Sequence, residues 1–171
     1  DVTQSTTGSV YFTFDTSDLP ASATITSVTA RGKARVSNTT RVTNTVMQLY
    51  TNTTAKGSNT TFASTTASTQ TISAGSWTRS ELRNLRLKIG GTASSSSSSR
   101  RIDFYGADVT ITYTVPTYTV TATGDGTLDP STAQTVEGGE SYTLRISGLS
   151  SKPTVTDNNT DVTSQVTEST E

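Results

Sequence analysis

Threonine alternates with apolar residues along several stretches of this chain, which is the pattern of β-strands that bury one face. Serine and threonine together occupy 65 of the 171 positions. Threonine suits a pleated, half-buried surface, because its methyl group packs while its hydroxyl stays hydrated. Hydrophobic residues make up only 30% of the chain, so any core must be thin. The sequence therefore predicts an all-β protein with hydroxyl-rich surfaces.

The longest alternating stretch, residues 24–36, is predicted to be a strand with small core residues. Further strands are predicted at residues 11–15, 42–51, 85–89, 101–105 and 107–115, with short ones around Phe62 and Ile72. The mixed pattern of residues 42–51 favours a bulge in that strand. The strand at residues 85–89 is expected to end at the pair Gly90-Gly91. A total of seven or eight strands suits a two-sheet jelly roll.

Two further segments have distinct local signatures. Thr78, followed three positions later by Glu81, is the capping-box signature of a short helical turn. The polyserine run at 94–99 predicts a flexible tip between strands.

Pro116 marks a predicted domain boundary, and the charge changes sign there. Residues 1–116 carry 11 basic and 6 acidic side chains, whereas residues 117–171 carry 2 and 8. The expected organisation is a jelly-roll β-sandwich at 1–116 followed by a small immunoglobulin-like β domain at 117–171. A piece of about 55 residues is near the lower limit for an independent core, so the second domain is expected to be truncated or to lean on a neighbour.

The chain contains no His and no Cys, and this narrows its chemistry. It lacks the usual near-neutral acid–base group and the thiol nucleophile, together with disulfides and thiolate metal sites. No run of 18 apolar residues predicts a membrane span, and the first residues show no signal segment. We therefore expect a structural or adhesive role, with no cofactor, no enzymatic activity and no membrane insertion.

Two long segments of the first predicted domain resemble a known family. VYFTFDTSDLPASATITSVTARGKARV and SWTRSELRNLRLKIGGTASSSSSSRRIDFYGADVTITYTV together cover most of residues 9–115. They resemble carbohydrate-binding-module-like jelly-roll modules of phage structural proteins and bacterial surface proteins. The shared pattern is an aromatic-Phe-Asp strand, a Leu-Pro turn, a long strand after Ala-Thr-Ile-Thr-Ser, and a closing Tyr-Gly-Ala-acid strand.

The acidic part of the chain resembles a second family. TYTVTATGDGTLDPSTAQTVEGGESYTLRISG and KPTVTDNNTDVTSQV are similar to the bacterial immunoglobulin-like repeats that follow such modules. Those repeats usually continue with a further strand, whereas this chain stops first. The two resemblances imply a phage virion or a bacterial cell surface as the location.

Cationic residues recur on two predicted strands, and they are the first candidates for ligand binding. Arg31, Lys33 and Arg35 share one face, and they would lie beside Arg86 and Lys88 if the two strands were neighbours in one sheet. Such a face could attract anionic glycopolymers. The alternative is a solvated face whose charges are relieved by acids such as Asp15 or Asp108 on other strands.

Aromatic residues are the second candidates. Sugars stack their apolar faces on exposed rings, which favours Trp77, Tyr50 and Tyr105 as a glycan platform. Large aromatics more often fill cores, and Trp77 lies directly before the predicted helical turn, where a packing role is natural.

A third candidate is a calcium-type loop. Asp157, Asn159 and Asp161, with Glu168, have the spacing of calcium ligands, but the turn position that requires Gly is Val162. The alternative is a hairpin turn stabilised by Asp and Asn side chains.

Two covalent chemistries are also open. Glycoside cleavage would need two of the carboxylates of Asp15, Glu81, Asp103 and Asp108 in one cleft. An isopeptide bond from Lys88 would need an Asn partner that the sequence does not identify.

We expect a non-enzymatic structural or adhesion module of a phage virion or bacterial surface protein that engages cell-surface glycans or other virion and surface proteins. An ancillary carbohydrate-binding module of a secreted glycoside-degrading enzyme is the alternative. Nucleic acid is not an expected partner, because the first domain is only mildly basic. Formation of a homo-oligomer remains open.

Overall fold

The computed structural model describes residues 6–94, 100–123, 126–148, 154–157 and 160–165. The described chain is all-β, with several antiparallel sheets and very little helix. Contacts divide it into two compact units. Residues 1–19 and 24–114 form the first unit, and residues 20–23 and 115–171 form the second.

Among its described residues, the first unit contains seven strands in two sheets. The strands are β1 (Thr6–Thr13), β2 (Thr24–Val36), β3 (Val42–Thr51), β4 (Thr54–Thr60), β5 (Ser68–Gly75), β6 (Leu85–Ala93) and β7 (Ile102–Thr114). One sheet has the order β1-β6-β3-β4 and the other has the order β5-β2-β7. Consecutive strands from β1 to β3 therefore alternate between the sheets, as expected of a β-sandwich.

The two sheets pack face to face through small residues of β2. Val28, Ala30, Ala34 and Val36 are at most 1% exposed. A Cβ atom built on Gly32 would lie 2.7 Å from Met47 Sδ of the opposite sheet, so a larger residue there would force the Met47 side chain to shift. The alternation of small and polar residues in 24–36 therefore predicted both the bounds of β2 and its buried face.

Strand β3 also has its predicted bounds and is irregular, as expected from its mixed pattern. Its pairing with β6 shifts between Thr43 and Val46, where Asn44 has a φ of 49°. The shift leaves Thr45 buried, and its hydroxyl bonds both the carbonyl oxygen and the amide of Phe62, at 2.7 and 2.9 Å. The prediction of a strand at Phe62 was wrong, because this core residue lies between β4 and β5. The Thr45 hydroxyl, not a neighbouring strand, forms the hydrogen bonds of the Phe62 backbone.

Three other predicted strands end differently in the structure. β1 covers Thr6–Thr13, so Phe14 and Asp15 lie beyond it. β6 continues through Gly90 and Gly91 to Ala93, because the absence of a side chain at Gly90 lets β1 approach closely. Residues 101–105 and 107–115 were predicted as two strands and are one, interrupted by a bulge at Tyr105.

The short helix α1 (Arg79–Leu82) begins with the predicted capping box. The Thr78 hydroxyl accepts a hydrogen bond from the Glu81 amide, and the Glu81 carboxylate accepts one from the Thr78 amide. This pairing satisfies two amides that the first turn leaves open. Leu82 anchors the turn in the core.

The described part of the second unit has six short strands, β8 (Thr117–Thr123), β9 (Thr127–Asp129), β10 (Gln134–Glu137), β11 (Arg145–Ser147), β12 (Thr154–Asp157) and β13 (Thr160–Asp161). One sheet has the order β10-β8-β12-β13, and β11 pairs with β9. The sequence pattern of residues 162–166 predicts a further strand, but the described part of this segment is a 3-10 turn over Thr163–Gln165. The described residues of this unit are exposed or half-buried, in keeping with its small size.

We predict that an alanine substitution destabilises the β1–β6 pair at Gly90 but not at Gly8. In Gly90→Ala, the new Cβ would lie 2.9 Å from both the Gly8 carbonyl oxygen and Ser9 Cβ, so the strands must separate. Overpacking of this kind costs about 1–3 kcal/mol. Gly8→Ala is the matched control, because no atom lies within 4 Å of its Cβ position. Thermal unfolding followed by Trp77 fluorescence should show a lower Tm for Gly90→Ala alone, and equal Tm values would contradict the packing argument.

Candidate functional site

The two cationic sets predicted from the sequence lie on different sheets of the first unit. Arg31, Lys33 and Arg35 belong to β2, in the three-stranded sheet, whereas Arg86 and Lys88 belong to β6, in the four-stranded sheet. The two strands are not neighbours, so the condition for one shared basic face is not met. Alternation within a strand shows which residues share its face, but it does not show which strands are neighbours.

The outer face of the four-stranded sheet brings together two tyrosines and two cations, named here the Tyr11 cluster: Tyr11, Tyr50, Arg86 and Lys88. β6 lies between β1 and β3, with Lys88 opposite Tyr11 and Arg86 opposite Tyr50. The rings of Tyr11 and Tyr50 meet edge to face, with centroids 5.7 Å apart and planes at 84°. Lys88 Nζ lies 5.7 Å from the Tyr50 centroid.

This geometry leaves ring surface in contact with solvent. Tyr11 is 43% exposed, and Tyr50, Arg86 and Lys88 are half-buried. The edge-to-face contact and the ammonium group limit the motion of the Tyr50 ring, so little conformational entropy remains to be lost on binding. The cluster can therefore stack one face of a sugar ring while neighbouring cations and hydroxyls bond its polar groups.

Tyr11 was not among the predicted ligand-binding residues, although Tyr50, Arg86 and Lys88 were. Its signal was present, because the alternation in the first strand places Tyr11 on the face opposite Phe12. The missing information was the pairing of β1 with β6, which joins segments about 75 positions apart in the sequence.

Carboxylates neutralise much of the cationic stripe on β2. Arg31 bonds both oxygens of Asp108, at 3.0 and 3.2 Å. Asp103 is shared by Arg35 and Arg101, at 2.9 and 2.6 Å. Asp108 thus relieves the stripe as the solvated-face interpretation expected.

These bonds keep Asp103 ionised. Hydrogen bonds, first from Arg101 and then from Arg35, hold the pKa of Asp103 below its ordinary value. Asp15 was also expected to relieve the stripe, but it instead accepts a hydrogen bond from the Ser17 amide beyond the end of β1. That bond lowers the pKa of Asp15.

Tyr105 and Lys33 occupy the middle of the same outer face. Tyr105 is the extra residue of the β7 bulge and is 54% exposed. Lys33 is exposed and forms no ion pair with any residue that the structure describes. Tyr105 therefore belongs to a different surface from Tyr50, and the three predicted aromatics do not form one platform.

Trp77 is buried, so it does not present an exposed ring as a glycan platform requires. It is 4% exposed, and its Nε1 donates a hydrogen bond to the Ala74 carbonyl oxygen at 3.0 Å. Lys56 Nζ lies 5.1 Å from the ring centroid and bonds Ser76 and Glu81. Trp77 thus has the packing role that the sequence left open.

A groove of about 410 Å³ lies beside the segment that follows β1. It is lined by Phe14, Asp15, Thr16, Ser17, Leu19, Arg79 and Arg83. Its apolar and charged walls could hold a small polar ligand, but none of the predicted ligand-binding residues lines it.

The predicted calcium loop is only partly described. Asn159, Glu168 and the side chain of Asp157 lie outside the described residues. Asp161 accepts a hydrogen bond from the Thr163 amide at 2.9 Å, as in a turn stabilised by an Asp side chain, and this bond helps to lower its pKa. Within the described ranges, no three His, Cys, Asp or Glu residues are grouped to hold a metal ion. Likewise, no helix of those ranges has the length and apolar character needed to cross a membrane.

Comparison with protein-family models, characterised proteins and solved structures finds no match for this chain. The fold and the geometry of its faces therefore carry the functional argument.

We predict that Glu81 makes the first unit acid-sensitive. The Thr78 amide and Lys56 lower the pKa of Glu81 below its ordinary value of about 4.3. A carboxylate whose pKa is lower in the folded state stabilises that state above the unfolded pKa, and the contribution is lost as the pH falls through the folded pKa. As the pH is lowered from about 5 to about 3, the Tm of Glu81→Gln should therefore fall less than the Tm of the wild type.

Trp77 fluorescence can follow this transition, because the ring lies beside Lys56. Asp18→Asn is the control, since it removes an exposed carboxylate that takes part in no hydrogen bond or ion pair with the described residues. An identical pH dependence in the wild type and Glu81→Gln would contradict the assignment.

Proposed function

We propose that this chain is a non-enzymatic adhesion module that binds cell-surface glycans through the Tyr11 cluster. One observation carries the proposal: two perpendicular tyrosine rings with an adjacent ammonium group on an open sheet face. Sheet faces of this kind accommodate extended ligands, because the strands hold their side chains in fixed register.

The chemistry of the cluster favours sugars over apolar ligands. Tyr11 offers an apolar ring for the C–H face of a pyranose and a hydroxyl for its polar edge. Arg86 and Lys88 supply donors to sugar hydroxyls or carboxylates. Gln48, opposite Lys88 on β3, donates to the Gly57 carbonyl oxygen at 3.0 Å and so helps to fix this part of the face.

A binding role without catalysis is supported by the states of the carboxylates. A glycosidase needs one carboxylic acid with a raised pKa. Asp15, Glu81 and Asp103 instead have lowered pKa values, each caused by hydrogen bonds to the ionised form. Carboxyl groups with lowered pKa values are poor proton donors near neutral pH.

The proposal includes a finer classification and a location. We assign the first unit to the jelly-roll sandwiches and the second to the immunoglobulin-like β domains, with the second as spacer or further adhesive unit. The segments that resemble phage structural and bacterial surface proteins favour a virion or a cell surface. Weak binding at each site would then gain strength from many copies.

The test is a glycan array probed with the wild type and with Tyr11→Ala and Tyr50→Ala. Each variant should lose about fivefold or more in affinity for the bound glycans, since loss of one stacking ring costs on the order of 1 kcal/mol or more. Isothermal titration with the best glycan would give the magnitude.

Tyr113→Ala is the matched control, because Tyr113 is 41% exposed, close to the 43% of Tyr11, and lies on β7 of the other sheet. It should bind like the wild type. The absence of binding to any glycan, or equal losses in all three variants, would overturn the proposal.

A further inference from the structure

The outer face of the three-stranded sheet has a regular row of charge pairs with one gap. Across β2 and β7, Arg31 is opposite Asp108 and Arg35 is opposite Asp103. Lys33 lies between these pairs, and its partner on β7 is Gly106. The position that would hold the third carboxylate therefore has no side chain.

The backbone at Gly106 explains the gap. Its φ is 134°, a region that residues with a side chain rarely adopt, and no atom lies within 4 Å of its Cβ position. The bulge thus requires glycine opposite Lys33 and leaves open space there. It also turns Tyr105, which is 54% exposed, out beside that space.

The charged side chains around this space come from β2 and from β7 with the residue before it. β2 contributes Arg31, Lys33 and Arg35, and β7 contributes Asp103 and Asp108, with Arg101 just before it. The residues of β5 that pair with Arg31 and Lys33 are Thr71 and Thr69, which are uncharged. Four cations thus face two carboxylates.

The two excess charges lie close together. One is Lys33, and the other arises because Arg35 and Arg101 share the single carboxylate of Asp103. Alternate residues of a strand are about 6.7 Å apart, so an anion beside Lys33 would also be near Arg35. The pKa of Arg35 is raised, first by its bond to Asp103 and then by the nearby Tyr105 and Asp103, so its charge is permanent.

We propose that this site, the Lys33 notch (Lys33, Arg35, Tyr105 and Gly106), binds an anionic group of a glycan polymer. The group is a carboxylate, sulfate or phosphate that occupies the space above Gly106 and pairs with Lys33. Tyr105 packs against the adjoining sugar, and the Thr69 hydroxyl is available to its polar edge.

A glycan polymer fits this surface better than a nucleic acid does. Nucleic-acid affinity depends on many phosphate contacts and on successive aromatic rings for the bases. The notch offers two uncompensated charges and one ring among hydroxyls. It goes beyond the proposed function, because it lies on a different sheet from the Tyr11 cluster and takes a charged group.

The test measures the affinity of the full chain for dextran sulfate, dextran phosphate, polygalacturonate and neutral dextran at low salt. Lys33→Gln should weaken binding to the preferred anionic polymer by up to about fivefold, the upper end of the range for one exposed ion pair. Thr69→Asp should do the same, because it places a carboxylate beside Lys33 from β5. Added salt should weaken the wild-type binding. The polymer bound best identifies the anionic group.

Two controls separate the notch from a general charge effect. Arg41→Gln makes the same change in net charge at an exposed turn residue that belongs to neither the notch nor the Tyr11 cluster, and Thr69→Asn changes the same side chain without adding charge. Both should retain wild-type affinity for the anionic polymer. The proposal for the notch would be overturned by the absence of binding to the anionic polymers, by tighter binding to single-stranded DNA, or by an equal loss of affinity in either control. Binding of neutral glycans by the Tyr11 cluster would be unaffected by that result, so the two proposals fail separately.

Discussion

The close approach of the two sheets through β2 is the constraint on which the first unit depends. Ala30, Gly32 and Ala34 occupy little space, so Met47 and Leu49 from the opposite sheet fill the volume between the sheets. A sandwich packed this tightly buries enough surface with few large side chains, which suits a chain with only 30% hydrophobic residues. The outward positions of the strands remain available for hydroxyl and charged groups, and both candidate sites consist of such positions.

The sequence predicted those features that depend on neighbouring residues. Alternation gave the bounds of β2, the mixed apolar pattern of residues 42–51 gave those of β3, and the Thr78–Glu81 spacing gave the helical turn. Sheet order depends on distant segments, and no local pattern reports it. The separation of Arg31 from Lys88, and the meeting of Tyr11 with Tyr50, could therefore not be predicted. The finer phage-module and repeat assignments remain predictions.

Residue type was a weaker guide to the sites than position in a strand. Trp77 attracted a binding role because it is the single tryptophan, yet it packs beneath Lys56 beside the helical turn. Tyr11 and Lys33 were marked as outward-facing by alternation, and both belong to sites proposed from the structure. The importance of Gly106 depends on the strand register, because its missing side chain matters only opposite a cation.

The β7 bulge has a further consequence for the behaviour of the molecule in concentrated solution. β7 is a thirteen-residue strand at the end of its sheet, and a straight strand of that length offers its free backbone groups to strands of other molecules. The bulge at Tyr105 and Gly106 breaks this edge into two shorter stretches and increases its local twist. The same two residues that shape the Lys33 notch therefore also lower the risk of sheet-to-sheet aggregation.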